Sequence, residues 1–131
     1  MLGVLILGGP LHFRSIAIGW DDENTLNSTE YKVLSYNVRL FDVYNQDPKK
    51  ALETKEAIFK FLEKSDADVY CFQEFYHQDD SREYNTKRLL IDRLKTPYHH
   101  SRLSISDYRR QSFGVAIFSK HEIISQGEVS F

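Results

Sequence analysis

Asp68 to Phe75, DVYCFQEF, decides how this chain is read. Val69, Tyr70, Cys71 and Phe72 make an apolar, β-branched and aromatic run of strand length, and the polar pair Gln73 and Glu74 follows at once. A continuous apolar run of this kind marks a strand covered on both faces, as in α/β proteins. A carboxylate at the carboxyl end of such a strand lies where open α/β sheets hold their ligands. Burying that charge alone is expensive, so Glu74 requires a cation beside it: a lysine, an arginine or a metal ion.

On either side of this stretch the chain alternates strand and helix. Upstream, residues 32–38 (KVLSYNV) predict a strand that gives way to a loop at Arg39. Asp47 followed by Pro48 is a helix-opening pair, and the helix should run from Pro48 to about Lys64. Ala51, Ile58 and Leu62, with Leu52 and Phe59, fall on one face, and Lys49, Glu53, Glu56, Lys60 and Glu63 make a solvated opposite face. Residues 65–67 turn the chain into the central strand, which completes a β-α-β unit with parallel strands. Downstream, residues 75–80 (FYHQDD) predict a polar loop, and a second helix should span residues 81–95, burying Tyr84, Leu90, Ile91 and Leu94 and ending before Pro97. Residues 98–103 predict an edge strand, 104–112 a polar loop with Arg109 and Arg110, and 113–119 (FGVAIFS) a second buried strand. Residues 122–125, and again 128–131, predict one further interrupted strand.

Composition bounds the possibilities. A chain of 131 residues, 41% hydrophobic and 14% aromatic, suffices for one domain with a core. The formal charge of −2, from 17 basic against 19 acidic side chains, gives no overall attraction to a polyanion, so any phosphate binding must be local. One cysteine, Cys71, excludes an internal disulfide framework and a multi-cysteine zinc site. In a buried strand it acts as a small hydrophobe.

Residues 1–20 differ in character from the rest. MLGVLILGGPL is an apolar run of eleven, too short for a bilayer span, and no basic residue precedes it as in a secretory signal. Three readings stay open: the tail of a membrane helix, an interfacial anchor ending in Trp20, or a disordered leader. The first two imply membrane contact through residues 1–20 and a membrane-associated protein; the third leaves a cytoplasmic one. Residues 21–30 (DDENTLNSTE) read as a polar linker, and the folded domain as 31–131.

Two strands each finish on an oxygen-bearing side chain, Asn37 on the first and Glu74 on the second. The two strands of such a unit lie about 5 Å apart, or about 10 Å if one strand intervenes, so the two side chains can converge on one ion. An amide oxygen with one carboxylate suits a hard cation such as magnesium, which keeps several of its waters. The bland alternatives are a turn-forming Asn and a surface or ion-paired Glu. His77, three residues after Glu74, is within reach of a ligand over the site, with a solvated loop residue as the favoured reading. His99 and His100 are adjacent in one strand and face opposite ways, and His12 and His121 show no partner.

LSYNVRLFD (residues 34–42), ADVYCFQEF (67–75) and FGVAIFSKHEI (113–123) resemble, in order and spacing, the first three motifs of the endonuclease/exonuclease/phosphatase family, the DNase I-like phosphoesterases. The resemblance covers about residues 31–131. It implies an α/β fold, a four-layer α/β/β/α sandwich present only in part and cut after its first half. It also implies hydrolysis of phosphodiester or phosphomonoester bonds with Mg2+ or Mn2+. On the matching positions Glu74 would be the principal metal carboxylate, Asn37 the amide beside metal and phosphate, and Gln73 a neighbour orienting Glu74. Arg39, directly after the Asn37 strand, is the cation best placed for substrate phosphate, with a structural ion pair as the alternative.

The family's later Asp-x-Asn and Ser-Asp-His motifs, which supply its acid and base groups, would lie past Phe131. The expectation is therefore an incomplete, poorly active fragment of a metal-dependent phosphoesterase. Its substrate is left open between nucleic acid, a small phosphoester and a lipid headgroup, and no obligate protein partner is evident. A rival reading is a non-catalytic, membrane-tethered α/β binding module on the same scaffold.

Overall fold

The computed structural model describes residues 30–106 and 110–127. They form a mixed α/β domain: β1 (Val33–Asn37), α1 (Pro48–Ser65), β2 (Val69–Gln78), α2 (Thr86–Leu94), β3 (Tyr98–Ser106) and β4 (Gln111–Ser119). The four strands make one sheet in the order β1-β2-β4-β3. β1 runs parallel to β2, pairing Val33 with Val69 through to Asn37 with Gln73, and β4 is antiparallel to both β2 and β3.

Local chemistry explains the β1–α1–β2 unit. Asp47, in an extended conformation, accepts hydrogen bonds from the Lys49 and Lys50 amides at 3.0 and 3.3 Å, with Pro48 in the first turn. The helix stops at Asp66, which takes a left-handed conformation, φ 47°. The buried residues Ala51, Lys55, Phe59 and Leu62 recur at helical spacing, so Lys55 stands inside the stripe, while Leu52 is exposed and Ile58 half-buried. The Lys55 Nζ lies over the Phe59 and Tyr84 rings, at 5.9 and 5.0 Å from their centroids, and donates to the Glu83 carbonyl. Leu90 and Leu94 of α2 complete the helix layer. Arg93 binds the two helices together with paired hydrogen bonds to Glu56 at 2.8 and 2.6 Å and a third to Glu63 at 2.6 Å.

The core lies between these helices and the face of the sheet that carries Tyr70, Phe72, Ala116 and Phe118. The other face bears Val33, Cys71, Val115 and Ile117, and Val115 is 52% exposed. The central strand is thus covered on one side among the described residues, and not on both as its apolar run suggests. Among the described residues, one sheet and one helix layer of the expected α/β/β/α order are present.

Several boundaries differ from expectation, each for a physical reason. The stretch after Glu74 is strand and not loop. Phe75, Tyr76 and His77 are buried and pair with Gly114, Phe113 and Ser112, so their backbone groups and apolar area count for more than the polar run that follows. α2 begins at Thr86 because Asn85 caps the Arg88 amide, whereas Ser81 spends its hydroxyl on the Tyr84 amide in the turn before it. β3 and β4 are longer than expected because they pair with each other along their whole length. Residues 122–127 form no strand, and 128–131 lie outside the described residues. The expectation of membrane association is corrected as well: no helix among the described residues is long and apolar enough to cross a membrane. Residues 1–20 lie outside them.

Candidate functional site

Asn37 and Glu74 meet. The Asn37 Nδ2 donates to Glu74 Oε1 at 2.8 Å across the parallel strand pair. Register alone would set Asn37 beside Gln73. The contact with Glu74 arises from a β-bulge: between Phe72 opposite Ala116 and Phe75 opposite Gly114, β2 carries two residues where β4 carries one. Glu74 is one of the two and has φ 49°, in the left-handed region that costs a non-glycine residue free energy. The bulge therefore turns the Glu74 side chain aside to an exposed position, while Phe72 and Phe75 both stay in the core with their rings stacked at 6.0 Å.

The amide of Asn37 is oriented from its other end. Its Oδ1 accepts from the Arg39 backbone N–H at 2.8 Å, so its NH2 must face the carboxylate; reversing the amide would break both bonds. What fixes Arg39 in turn is unusual. Arg39, Leu40, Phe41 and Asp42 have φ of 48, 54, 53 and 58°, a left-handed turn of four residues with no glycine. Such geometry costs roughly 1–2 kcal/mol per residue and persists only where the surroundings enforce it. Here they do. Phe41 is fully buried, edge-on to Phe59 at 5.5 Å and Phe75 at 5.7 Å, and Asn45 closes the turn with its amide N–H on the Asp42 carbonyl and its side chain on the Asp42 carboxylate, both at 2.9 Å. Arg39 itself is exposed, and its charge opposes the rise that burial imposes on the Tyr36 phenol pKa.

Gln73 is placed differently from a residue that orients Glu74. Its Nε2 donates to Ser35 Oγ at 3.0 Å and to the Cys71 carbonyl at 3.4 Å, and its own carbonyl accepts from the Val38 amide at 3.0 Å. It ties β1 to β2, and its side chain makes no hydrogen bond to Glu74 among the described residues. His77 is not a solvated loop residue. It is 2% exposed in β2, with Nε2 on Asp79 Oδ1 at 2.8 Å and Nδ1 facing the Lys87 amide at 3.4 Å. Burial, foremost, lowers its pKa, and the Asp79 carboxylate opposes that. His121, with no partner legible in sequence, sits edge-on to Tyr31 at 5.0 Å. Sequence reasoning missed Phe41, whose signal was a large apolar residue in an otherwise polar loop.

These residues fit a weakly held hard cation. Glu74 is exposed, Asn37 engages only one of its oxygens, and no ion pair neutralises it among the described residues. No group of three His, Cys, Asp or Glu side chains there could hold a metal ion, so Glu74 is a lone carboxylate needing water or further ligands to complete a shell.

The four-stranded sheet and its two helices define a mixed α/β fold. The chain belongs to the endonuclease/exonuclease/phosphatase family, whose model matches residues 34–131. Among solved structures the chain is similar to an endonuclease/exonuclease/phosphatase family protein from Leptotrichia buccalis C-1013-b, with 22% identity and a TM-score of 0.49 over 73% of this chain and 40% of that one. This chain therefore spans less than half the length of that protein. No curated protein matches it.

Proposed function

We propose that the protein is a phosphoesterase that hydrolyses phosphodiester or phosphomonoester bonds with Mg2+ or Mn2+, and that Glu74 and Asn37 lie at its reacting centre. Family membership supports the reaction class. The observation that carries the assignment of residues is the 2.8 Å hydrogen bond from Asn37 to Glu74, formed through a strained bulge at the exposed end of a parallel strand pair.

Each residue has a distinct task in this reading. Glu74 holds the divalent cation through its carboxylate. Asn37 fixes the carboxylate rotamer by donating to Oε1, while its own Oδ1 is held by the Arg39 amide. Arg39 contributes positive charge for a phosphate oxygen. A cation bound here supplies polarisation of the phosphoryl group and offsets charge in the transition state. Gln73 braces the strand pair from which Asn37 and Glu74 project.

Metal binding tests the reading directly. Adding Mn2+ to the 15N-labelled chain should broaden the Asn37 side-chain amide and the Glu74 and Phe75 backbone signals first, and Glu74→Gln should abolish that broadening while leaving the melting midpoint nearly unchanged. Broadening centred elsewhere, or surviving Glu74→Gln, would remove Glu74 from the centre.

A further inference from the structure

The first turn of α2 is capped from the sheet as well as from its own chain. Asn85 accepts from the Arg88 amide at 3.3 Å, as a helix-capping side chain does. The Lys87 amide is another of the donors that a helix leaves unpaired at its start, and it points at Nδ1 of His77 in β2, at 3.4 Å. The Thr86 hydroxyl, also 3.4 Å from that nitrogen, spends its proton on the Tyr76 carbonyl. The same strand holds the turn before the helix. The Gln78 amide donates to the Tyr84 carbonyl at 2.9 Å, and the Asn85 side chain to the Asp79 carbonyl at 3.0 Å.

An imidazole fills this place only while Nδ1 carries no proton. Nε2 meets Asp79 Oδ1 at 2.8 Å, so the neutral ring keeps its proton there and leaves Nδ1 as the acceptor. A proton added at Nδ1 sets one N–H against another and places a cation at the positive end of the helix dipole. At 2% exposure, the ring has almost no water to take up that charge. Around it, Asp79 beyond β2 favours the charged form, while Lys87 of α2 and His99 of β3 oppose it. From β4 it faces the uncharged Ser112, and Arg110, ahead of that strand, draws on the Asp79 carboxylate. Burial outweighs Asp79 and holds the ring below its ordinary pKa of 6.5.

We infer that His77 is an acid-operated latch: one proton taken up at Nδ1 releases residues 79–88, the start of α2 and the turn before it, from the sheet. The opening is local, because Arg93 ties the far end of α2 to Glu56 and Glu63 of α1. Tyr84 packs edge-on against Tyr76 at 5.5 Å, and the Glu83 carbonyl accepts from Lys55. Release of the segment therefore uncovers the buried Tyr76 ring and frees the Lys55 amine. The latch works whether or not Glu74 holds a cation.

Amide hydrogen exchange of the chain between pH 7.5 and 5.0, corrected for the intrinsic pH dependence of exchange, tests the latch. Protection at Asn85, Lys87, Arg88 and Leu89 should fall below about pH 6.5, by up to about tenfold per pH unit, and level off below the folded pKa of His77. The amides of β1 and α1 should keep theirs. His77→Gln, whose amide oxygen accepts from Lys87 without titrating, should hold the segment closed across the whole range. Protection at 85–89 that ignores pH, or that falls equally in His77→Gln, overturns the latch, and so does an equal loss in α1. Should the variant not fold, the 15N signals of the His77 ring in the unaltered chain decide: they must show the Nε2–H tautomer at pH 7.5 and titrate in step with the loss of protection. An Nδ1–H tautomer, or titration out of step, overturns it as well.

Discussion

The two ends of β2 are built on opposite plans. At its amino end the backbone is regular and closely tied. The Asp68 amide donates to the Lys32 carbonyl and the Lys120 amide to the Asp68 carbonyl, at 2.8 and 2.9 Å. The Tyr70 hydroxyl accepts from the Ala67 amide and donates to the Leu62 carbonyl, and Lys120 forms an ion pair with Asp66 at 2.6 Å. At the bulge halfway along it, Glu74 sits at positive φ, and so do the four residues of the turn that follows β1. Within β2 the strain collects at the bulge, and the bulge carries the exposed amide–carboxylate pair. Strained backbone persists where surrounding packing over-determines it, and Phe41, lodged against Phe59 and Phe75, supplies such packing here.

The contrast breaks most readily at Phe41. Replacing it with Ala removes a fully buried ring lodged between Phe59 and Phe75 and should cost about 3–5 kcal/mol, read as a shift of the denaturation midpoint in urea. Tyr70→Phe, at the quiet end, strips a buried amide of its partner but leaves the ring in place, and should cost only about 1–3 kcal/mol. The decisive difference is local. In a partly stabilised background, Phe41→Ala should loosen the Asn37 side-chain signals and Mn2+ contact, while Tyr70→Phe should leave both alone. Equal effects at Asn37 would mean that the turn holds itself without its anchor.

Gly114 ranks next. It pairs with Phe75 just past the bulge, and a Cβ there would meet the Arg102 carbonyl of β3 at 2.0 Å, a backbone atom that cannot yield. Gly114→Ala should force β3 from β4 and cost about 1–3 kcal/mol or more. Faster amide exchange should appear along residues 101–104 while β1 keeps its protection. Loss of protection in β1 as well would show that the bulge depends on the whole sheet and not only on its β2–β4 seam.

How far the sequence foretold this pattern follows the range of the forces involved. The β-α-β unit was legible because its signals are local: the Asp47-Pro48 cap, a helical stripe and an uninterrupted apolar strand. Asn37 and Glu74 were legible as strand-end residues, and the family motifs reinforced them. The bulge was not, because Gln73 and Glu74 include no glycine to announce a left-handed residue. The turn at 39–42 runs against the propensity of Arg39, Leu40 and Phe41, and it depends on packing of Phe41 against Phe59 and Phe75, distant in the chain, as well as on the Asn45–Asp42 bonds. His77 looked polar and mobile because Asp79, Thr86 and Lys87, which accommodate it, come together only once α2 is docked.

Acid should sharpen the contrast at this same end. His77 Nδ1 faces an amide N–H, an arrangement that holds the neutral Nε2–H tautomer and leaves no room for a second proton. Of the charged groups around it, Lys87 and His99 lower its pKa along with burial, and Asp79 raises it. With the folded pKa below the unfolded value near 6.5, the unfolded chain binds more protons, so this contribution is fully present above about pH 6.5 and is lost as pH falls through the folded pKa. Melting midpoints should therefore drop between pH 7 and 5, and His77→Gln should flatten that part of the profile. An unchanged slope in the variant would assign the acid sensitivity to other groups.

The smallest effect has the opposite sign and bears most directly on strain. Arg39 and Lys95 are both exposed and both at positive φ, 48 and 57°, but Arg39 opens the four-residue turn whereas Lys95 is an ordinary helix-ending residue after α2. Glycine meets no Cβ penalty in this region, so Lys95→Gly should raise stability by about 1 kcal/mol, less a few tenths for the greater freedom it gives the unfolded chain. If the turn is strained residue by residue, Arg39→Gly should gain a similar amount even as it removes the cation proposed to meet phosphate, so that stability rises while affinity for inorganic phosphate falls. A stability loss at Arg39 beside a gain at Lys95 would mean that the arginine side chain, through its own contacts, is one of the groups enforcing the turn, and that the strain is shared between Phe41 and the residue set to meet the substrate.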